Sequence, residues 1–174
     1  SGSLLSLDLP VNMAKSTSGE LLINSFFLGI DPSATSTGLT LLSSESGFCN
    51  TLRIQPKKLR DCERLHYISL EIKKFISNIP IELCVYEAPS YGSTHKEFIL
   101  GEVLGAIKLT LTMNNVAMVG VAPTQLKKYF TSKGTATKKQ MIERALDLGC
   151  PSKQEDICDS YAAALLCKDI LEGP

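Results

Sequence analysis

The stretch FFLGIDPSATSTGLTLLS, residues 26–43, reads as an apolar strand ending on Asp31, a turn through Pro32 and a run of small residues, and a second strand from Gly38 to Ser43. A third strand follows around Phe48 to Ile54, and the short turns between the three imply an antiparallel meander. Leu65, Ile68, Ile72, Phe75 and Ile79 then recur at spacings of three and four, which predicts an amphipathic helix of about 20 residues closed by Pro80.

Beyond Pro80 the pattern alternates. Glu82 to Glu87 reads as a fourth strand, a loop with Pro89 and Gly92 follows, Glu97 to Met113 reads as a second helix and Val116 to Val121 as a fifth strand. Thr137 with Gln140 forms a capping-box pattern for a helix that Gly149 stops, and Ser152 with Glu155 repeats the pattern before the last helix. The order βββαβαβ and then helices is that of an α/β domain on a mixed five-stranded sheet. A right-handed crossover lets the first and fourth strands lie side by side and parallel.

The 174 residues suit one domain with a real core. Residues 1–24 show no clear period and read as a flexible arm ahead of a domain spanning residues 25–174. Hydrophobic residues at 44% and charged residues at 21% are the balance of a folded globular chain, and the apolar runs fall short of the roughly 20 residues a membrane span needs. Six scattered cysteines form no C-x-x-C pair, and His66 and His95 lack a metal-ligand spacing, which argues against zinc and for a reducing compartment. A net charge of zero excludes a uniformly basic nucleic-acid binder. Charge is separated locally, however: residues 124–144 hold Lys127, Lys128, Lys133, Lys138, Lys139 and Arg144 against Glu143, a surplus of five.

The strand order brings Asp31 and Glu87, at the carboxyl ends of the first and fourth strands, to one edge of the sheet, where α/β folds place their ligands. Asp156 and Asp159, three apart on the last helix, project from one face. Four carboxylates without thiol or imidazole partners suit a hard cation, magnesium or manganese. Singly, each has an ordinary reading: Asp31 as a turn former before Pro32, Glu87 as a strand end, Asp156 as a helix-dipole acid. The weight lies in the arrangement, because uncompensated carboxylates repel one another unless metal or protons relieve them.

At these residues the chain resembles the RuvC family of Holliday-junction resolvases. GIDPSATSTGLTLL from Gly29 looks like its first motif, VYEAPS with Glu87 its second acidic motif, QLKKYFTSKGTATKKQM its basic segment, and EDICDSYAAALL its terminal pair of acids. Together these run in order from Gly29 to Lys168. The resemblance implies a ribonuclease-H-like fold and a magnesium-dependent endonuclease. It would nick four-way DNA junctions in pairs by two-metal hydrolysis, with Asp31 bridging both ions, and Glu87 and Asp159 or Asp156 completing their shells. It places Lys127 and Lys138 at the family's lysine positions, with Lys133 and Lys139 extending the DNA-binding surface. Ala-Pro-Ser-Tyr after Glu87 departs from the bacterial pattern and leaves Tyr91 as a displaced aromatic, either to stack on a base at the branch point or to pack in the core. The implied setting is the cytoplasmic nucleoid, a DNA-containing organelle or a viral replication site.

Family members dimerise, and the helix from Glu97 to Met113 carries more apolar positions than one core-facing stripe requires. Either part of its surface buries against a second copy, or it is sandwiched between the sheet and the last helices. Lys138 and Lys139, in the first turn of the helix capped by Thr137, stand where the helix dipole disfavours positive charge: either they are a solvated surface pair, or backbone amides and both ammonium groups jointly hold a phosphate. A sugar-kinase-like or actin-like ATPase would need a second domain and a second glycine-rich phosphate loop, and this chain has neither. Ribonuclease H, another branched-DNA nuclease, or a junction-binding module without activity are the alternatives that share the fold.

Overall fold

The computed structural model describes residues 25–43, 47–89 and 95–173. Five strands, β1 (Phe26–Asp31), β2 (Thr37–Ser43), β3 (Cys49–Ile54), β4 (Ile81–Glu87) and β5 (Met118–Val121), form one sheet in the order β3-β2-β1-β4-β5. β1 pairs antiparallel with β2 and parallel with β4, β2 antiparallel with β3, and β4 parallel with β5, the expected mixed arrangement. The helices are α1 (Asp61–Ile76), α2 (His95–Met113), α3 (Pro123–Thr131), α4 (Lys138–Asp147) and α5 (Glu155–Glu172). Residues 1–24, read as an arm, lie outside the described residues, as does Tyr91.

Strand periodicity sorts the core into two layers. Leu28, Ile30, Leu39, Leu41, Cys84 and Tyr86 meet α1 and α2 on one face. Phe27, Leu42, Leu83, Val85, Val119 and Val121 meet α3, α4 and α5 on the other. α5 lies across β1, β2 and β4. It comes unusually close because Gly29 and Gly38 carry no side chain: a Cβ on Gly29 would sit 1.9 Å from the Ser160 carbonyl oxygen, and one on Gly38 2.0 Å from that of Asp156. Ser160, Ala163 and Ala164 are all fully buried on this helix, and the Ser160 hydroxyl is 2.8 Å from that of Thr40.

Four local expectations change. α1 has 16 residues and stops at Ile76, because Asn78 adopts a left-handed backbone (φ 60°) before Pro80 is reached. α3, which the sequence reading passed over, opens on Pro123, and the Gln125 side chain accepts the Ala122 N–H at 3.1 Å. Ser152 is not the cap of α5: Gln154 occupies that position, while the Ser152 hydroxyl accepts the Gln154 N–H at 3.1 Å within the preceding turn. α2 is not sandwiched against the last helices. It packs beside α1 on the opposite face of the sheet, burying Val103, Leu104, Ile107 and Leu111 and leaving Phe98, Leu109 and Met113 exposed.

The cap of α4 forms as expected. Thr137 accepts the Gln140 N–H at 3.3 Å and the Gln140 side chain accepts the Thr137 N–H at 2.9 Å, a pairing that contributes about 1 kcal/mol. All six cysteines are unpaired, and Cys84, Cys150, Cys158 and Cys167 are buried, as thiols acting as small apolar side chains should be. No helix among the described residues is long and apolar enough to cross a membrane.

Candidate active site

Phe27 and Gly29 face α5, so two-residue periodicity turns Asp31 to the same face; Leu83 and Val85 do the same for Glu87. Ile30 is paired with Tyr86, which leaves Asp31 and Glu87 as the next rung, at the carboxyl ends of two adjacent parallel strands. Across from them stand Asp156 and Asp159, delivered by the first turns of α5 and held close by the Gly29 and Gly38 contacts. The acids predicted to cluster are therefore all brought to one edge.

Their electrostatics follow from crowding. Asp31 is pushed up to about 9, by burial first and then by the charges of Glu87, Asp159, Asp156 and Glu155. Asp159 is pushed up to about 7 by burial, Glu87 and Glu155, with Lys127 and Lys138 pulling the other way. Burial also raises Glu87, opposed by Lys127. Asp156 is hydrogen-bonded at both oxygens. Its Oδ2 accepts the Arg53 Nε–H at 2.7 Å and the Ser36 hydroxyl, and its Oδ1 accepts the Ile157 N–H at 2.9 Å.

The acids converge without closing: among the described residues, no three acidic, thiol or imidazole groups form a ready-made metal cage. The donor set itself is all carboxylate, which matches a hard divalent cation and not zinc. Burial first, and then the charge of neighbouring acids, raises Asp31, Glu87 and Asp159, a pattern that marks functional clusters.

The basic residues divide. Lys127 on α3 lies near enough to Glu87 and Asp159 to lower both. Lys138 borders the acid cleft and pairs with Glu155 at 2.7 Å. Lys139 instead pairs along its own helix with Glu143 at 3.7 Å, and Lys133 borders a separate cavity between α3 and α4 with Phe130 and Arg144. The sequence reading missed Arg53, Ser36 and Glu155. Arg53 had a usable signal, since it stands directly opposite Gly38 on the β2–β3 ladder.

The family model described as "Crossover junction endodeoxyribonuclease RuvC" matches residues 27–167. The protein of that name from Neorickettsia sennetsu is 31% identical over 159 residues, covering 84% of this chain and 95% of its own. That from Pelodictyon phaeoclathratiforme is 30% identical over 156 residues, covering 84% and 80%. Among solved structures, Thermus thermophilus RuvC shares the fold with a TM-score of 0.70 at 20% identity, over 85% of this chain and 96% of its own. The same protein in complex with Holliday junction substrate gives 0.71 at 19% identity. Fold, motif order and sequence identity agree, and the chain belongs to the RuvC family of crossover junction endodeoxyribonucleases.

Proposed function

We propose that the cleft formed by Asp31, Glu87, Asp156 and Asp159 cuts four-way DNA junctions, using magnesium, or manganese in its place. The observation that carries this reading is the convergence of Asp31 and Glu87 with two acids of α5 at one sheet edge, with Asp31 pushed up to about 9 by burial and by its acidic neighbours. Asp31, Glu87 and Asp159 are the residues to hold the cations, with Asp156 completing the set. When bound, the ions supply an activated water and stabilise the departing 3′ oxygen, leaving a 5′ phosphate.

The remaining work is done by the chain. Raised carboxylates must shed protons as cations enter, so cation affinity increases with pH through the range set by Asp159 and Asp31. Lys127 and Lys138 sit where a DNA backbone entering the cleft would meet positive charge, while Lys133 and Lys139 serve the flanking duplex. Tyr91, in the segment after Glu87, stacks on an exposed base. The protein acts on DNA in a reducing compartment such as a nucleoid, a DNA-containing organelle or a viral replication site.

A four-way junction has two equivalent strands to cut, and we infer a two-fold dimer that presents two clefts to it. Support comes from α2, whose outer side carries Phe98, Leu109 and Met113 at 78%, 61% and 75% exposure, an apolar stripe that two copies could share. Magnesium-dependent cleavage of a synthetic four-way junction, compared with a linear duplex and an RNA:DNA hybrid of the same sequence, tests the substrate. We expect the junction to be cut at least about tenfold faster than either, a preference of roughly 1.4 kcal/mol or more in the barrier. Faster cutting of the hybrid would make the enzyme a ribonuclease H.

A further inference from the structure

We propose that Arg53 is a phosphate-binding residue of the cleft: the guanidinium that anchors Asp156 through Nε offers its terminal amino groups to the phosphodiester that enters beside it. The inference rests on the junction-cutting role given to this cleft.

Arg53 reaches the site by register. It stands opposite Gly38 on the antiparallel β2–β3 ladder, and opposed residues share a sheet face, so its side chain emerges on the α5 side next to a position with no side chain. The first turn of α5 settles into that gap, and Asp156 is within reach. The Nε–Oδ2 bond of 2.7 Å is the hydrogen bond Arg53 makes among the described residues, and its side chain remains 31% exposed. A guanidinium carries five N–H donors in a planar fork, so one edge can hold a carboxylate while the rest addresses a second anion.

The surroundings carry both signs of charge. Arg53 borders a cleft of about 400 Å³ whose other charged lining residues are Asp31, Lys138, Glu155 and Asp156, with hydroxyls from Ser33, Thr35 and Ser36. Lys138 is paired with Glu155 and Arg53 with Asp156, which leaves the Asp31 carboxylate without a cation of its own along this lining. A phosphodiester approaching that acid is repelled, and the free donors of a guanidinium that never loses its proton offset part of that repulsion. Were Arg53 only the counter-ion of Asp156, its exposed donors would have no role at the mouth of the cleft. A pair of this kind contributes little stability against a well-packed apolar replacement.

The test is binding without divalent cation, so that nothing is cut. Affinities of wild type, Arg53→Gln and Arg53→Lys for a labelled four-way junction and for a linear duplex are measured by fluorescence anisotropy between 50 and 200 mM KCl. Arg53→Gln should lower the slope of log affinity against log salt by about 0.9 and weaken binding several-fold at low salt, while Arg53→Lys, which keeps the charge, should restore the slope. If Arg53→Gln strands Asp156 and fails to fold, the double variant Arg53→Gln/Asp156→Asn removes both partners and is judged against Asp156→Asn alone, with the same loss of slope expected. An unchanged slope in a folded variant on both DNAs would reduce Arg53 to a counter-ion and overturn the proposal. Equal wild-type affinity for junction and duplex would instead count against the resolvase reading, with the Arg53 slope still decided on the duplex.

Discussion

Asp31→Asn is expected to slow junction cleavage by at least about a thousandfold, while junction affinity without divalent cation stays within a few-fold. In the proposed function the carboxylate serves the cations that drive hydrolysis, whose charge stabilisation is worth several kcal/mol, and not the DNA backbone. The same substitution has a second readout. With its folded-state pKa lifted from 3.8 to about 9, Asp31 keeps its proton in the folded protein across that interval while the unfolded chain loses it. Wild-type stability in cation-free buffer therefore falls as pH rises from 3.8 towards 9. Asn needs no proton, so the Tm of Asp31→Asn should exceed that of wild type by a margin that widens between pH 5 and pH 8. Retention of cleavage within tenfold of wild type, or a Tm difference flat with pH, would show that Asp31 is neither the central ligand nor crowded by its neighbours.

Gly29→Ala should be nearly as damaging from a position buried beneath α5. Its Cβ would lie 1.9 Å from the Ser160 oxygen and 2.4 Å from the Ala164 nitrogen, both backbone atoms of a helix that cannot yield locally. α5 must lift off β1, which takes Asp156 and Asp159 away from Asp31. An overpacking cost of about 3 kcal/mol or more translates to a Tm loss on the order of 10 °C, with cleavage falling in parallel. A variant that melts and cuts like wild type would mean that the close seating of α5 is not what assembles the cluster.

Much of this was legible in the sequence because the relevant signals were local and repeated. The Asp-ended strand, the small-residue turn and the second strand carry a period of two, and the crossover rule then puts Glu87 beside Asp31 without further information. The three-residue spacing of Asp156 and Asp159 survives in any helix. What escaped has physical reasons. α3 buries only Leu126 and Phe130, one helical repeat, and its opening Pro123 reads as a breaker as readily as a first-turn residue. The Ser152 spacing to Glu155 misled because the Ser152 hydroxyl is spent on the turn that leads into the Gln154 cap of α5. Arg53 was missed because its partner lies 103 residues away, and only the ladder register opposite Gly38 reveals that a long cation fits over the vacant position.

The seating of four acids around one edge also explains why the chain can be neutral overall and still act on DNA. Positive charge is in surplus over residues 124–144, while Asp31, Glu87, Asp156 and Asp159 gather at one sheet edge, so local charge differs from the zero average of the chain.

The most direct measurement is cleavage of a supercoiled plasmid bearing an extruded cruciform, with magnesium present and chelated. Two clefts acting together on one junction should convert the plasmid to linear product through paired nicks, only with magnesium and only when the cruciform is present. Release of singly nicked circles alone, or equal cutting of a plasmid without the cruciform, would contradict the account.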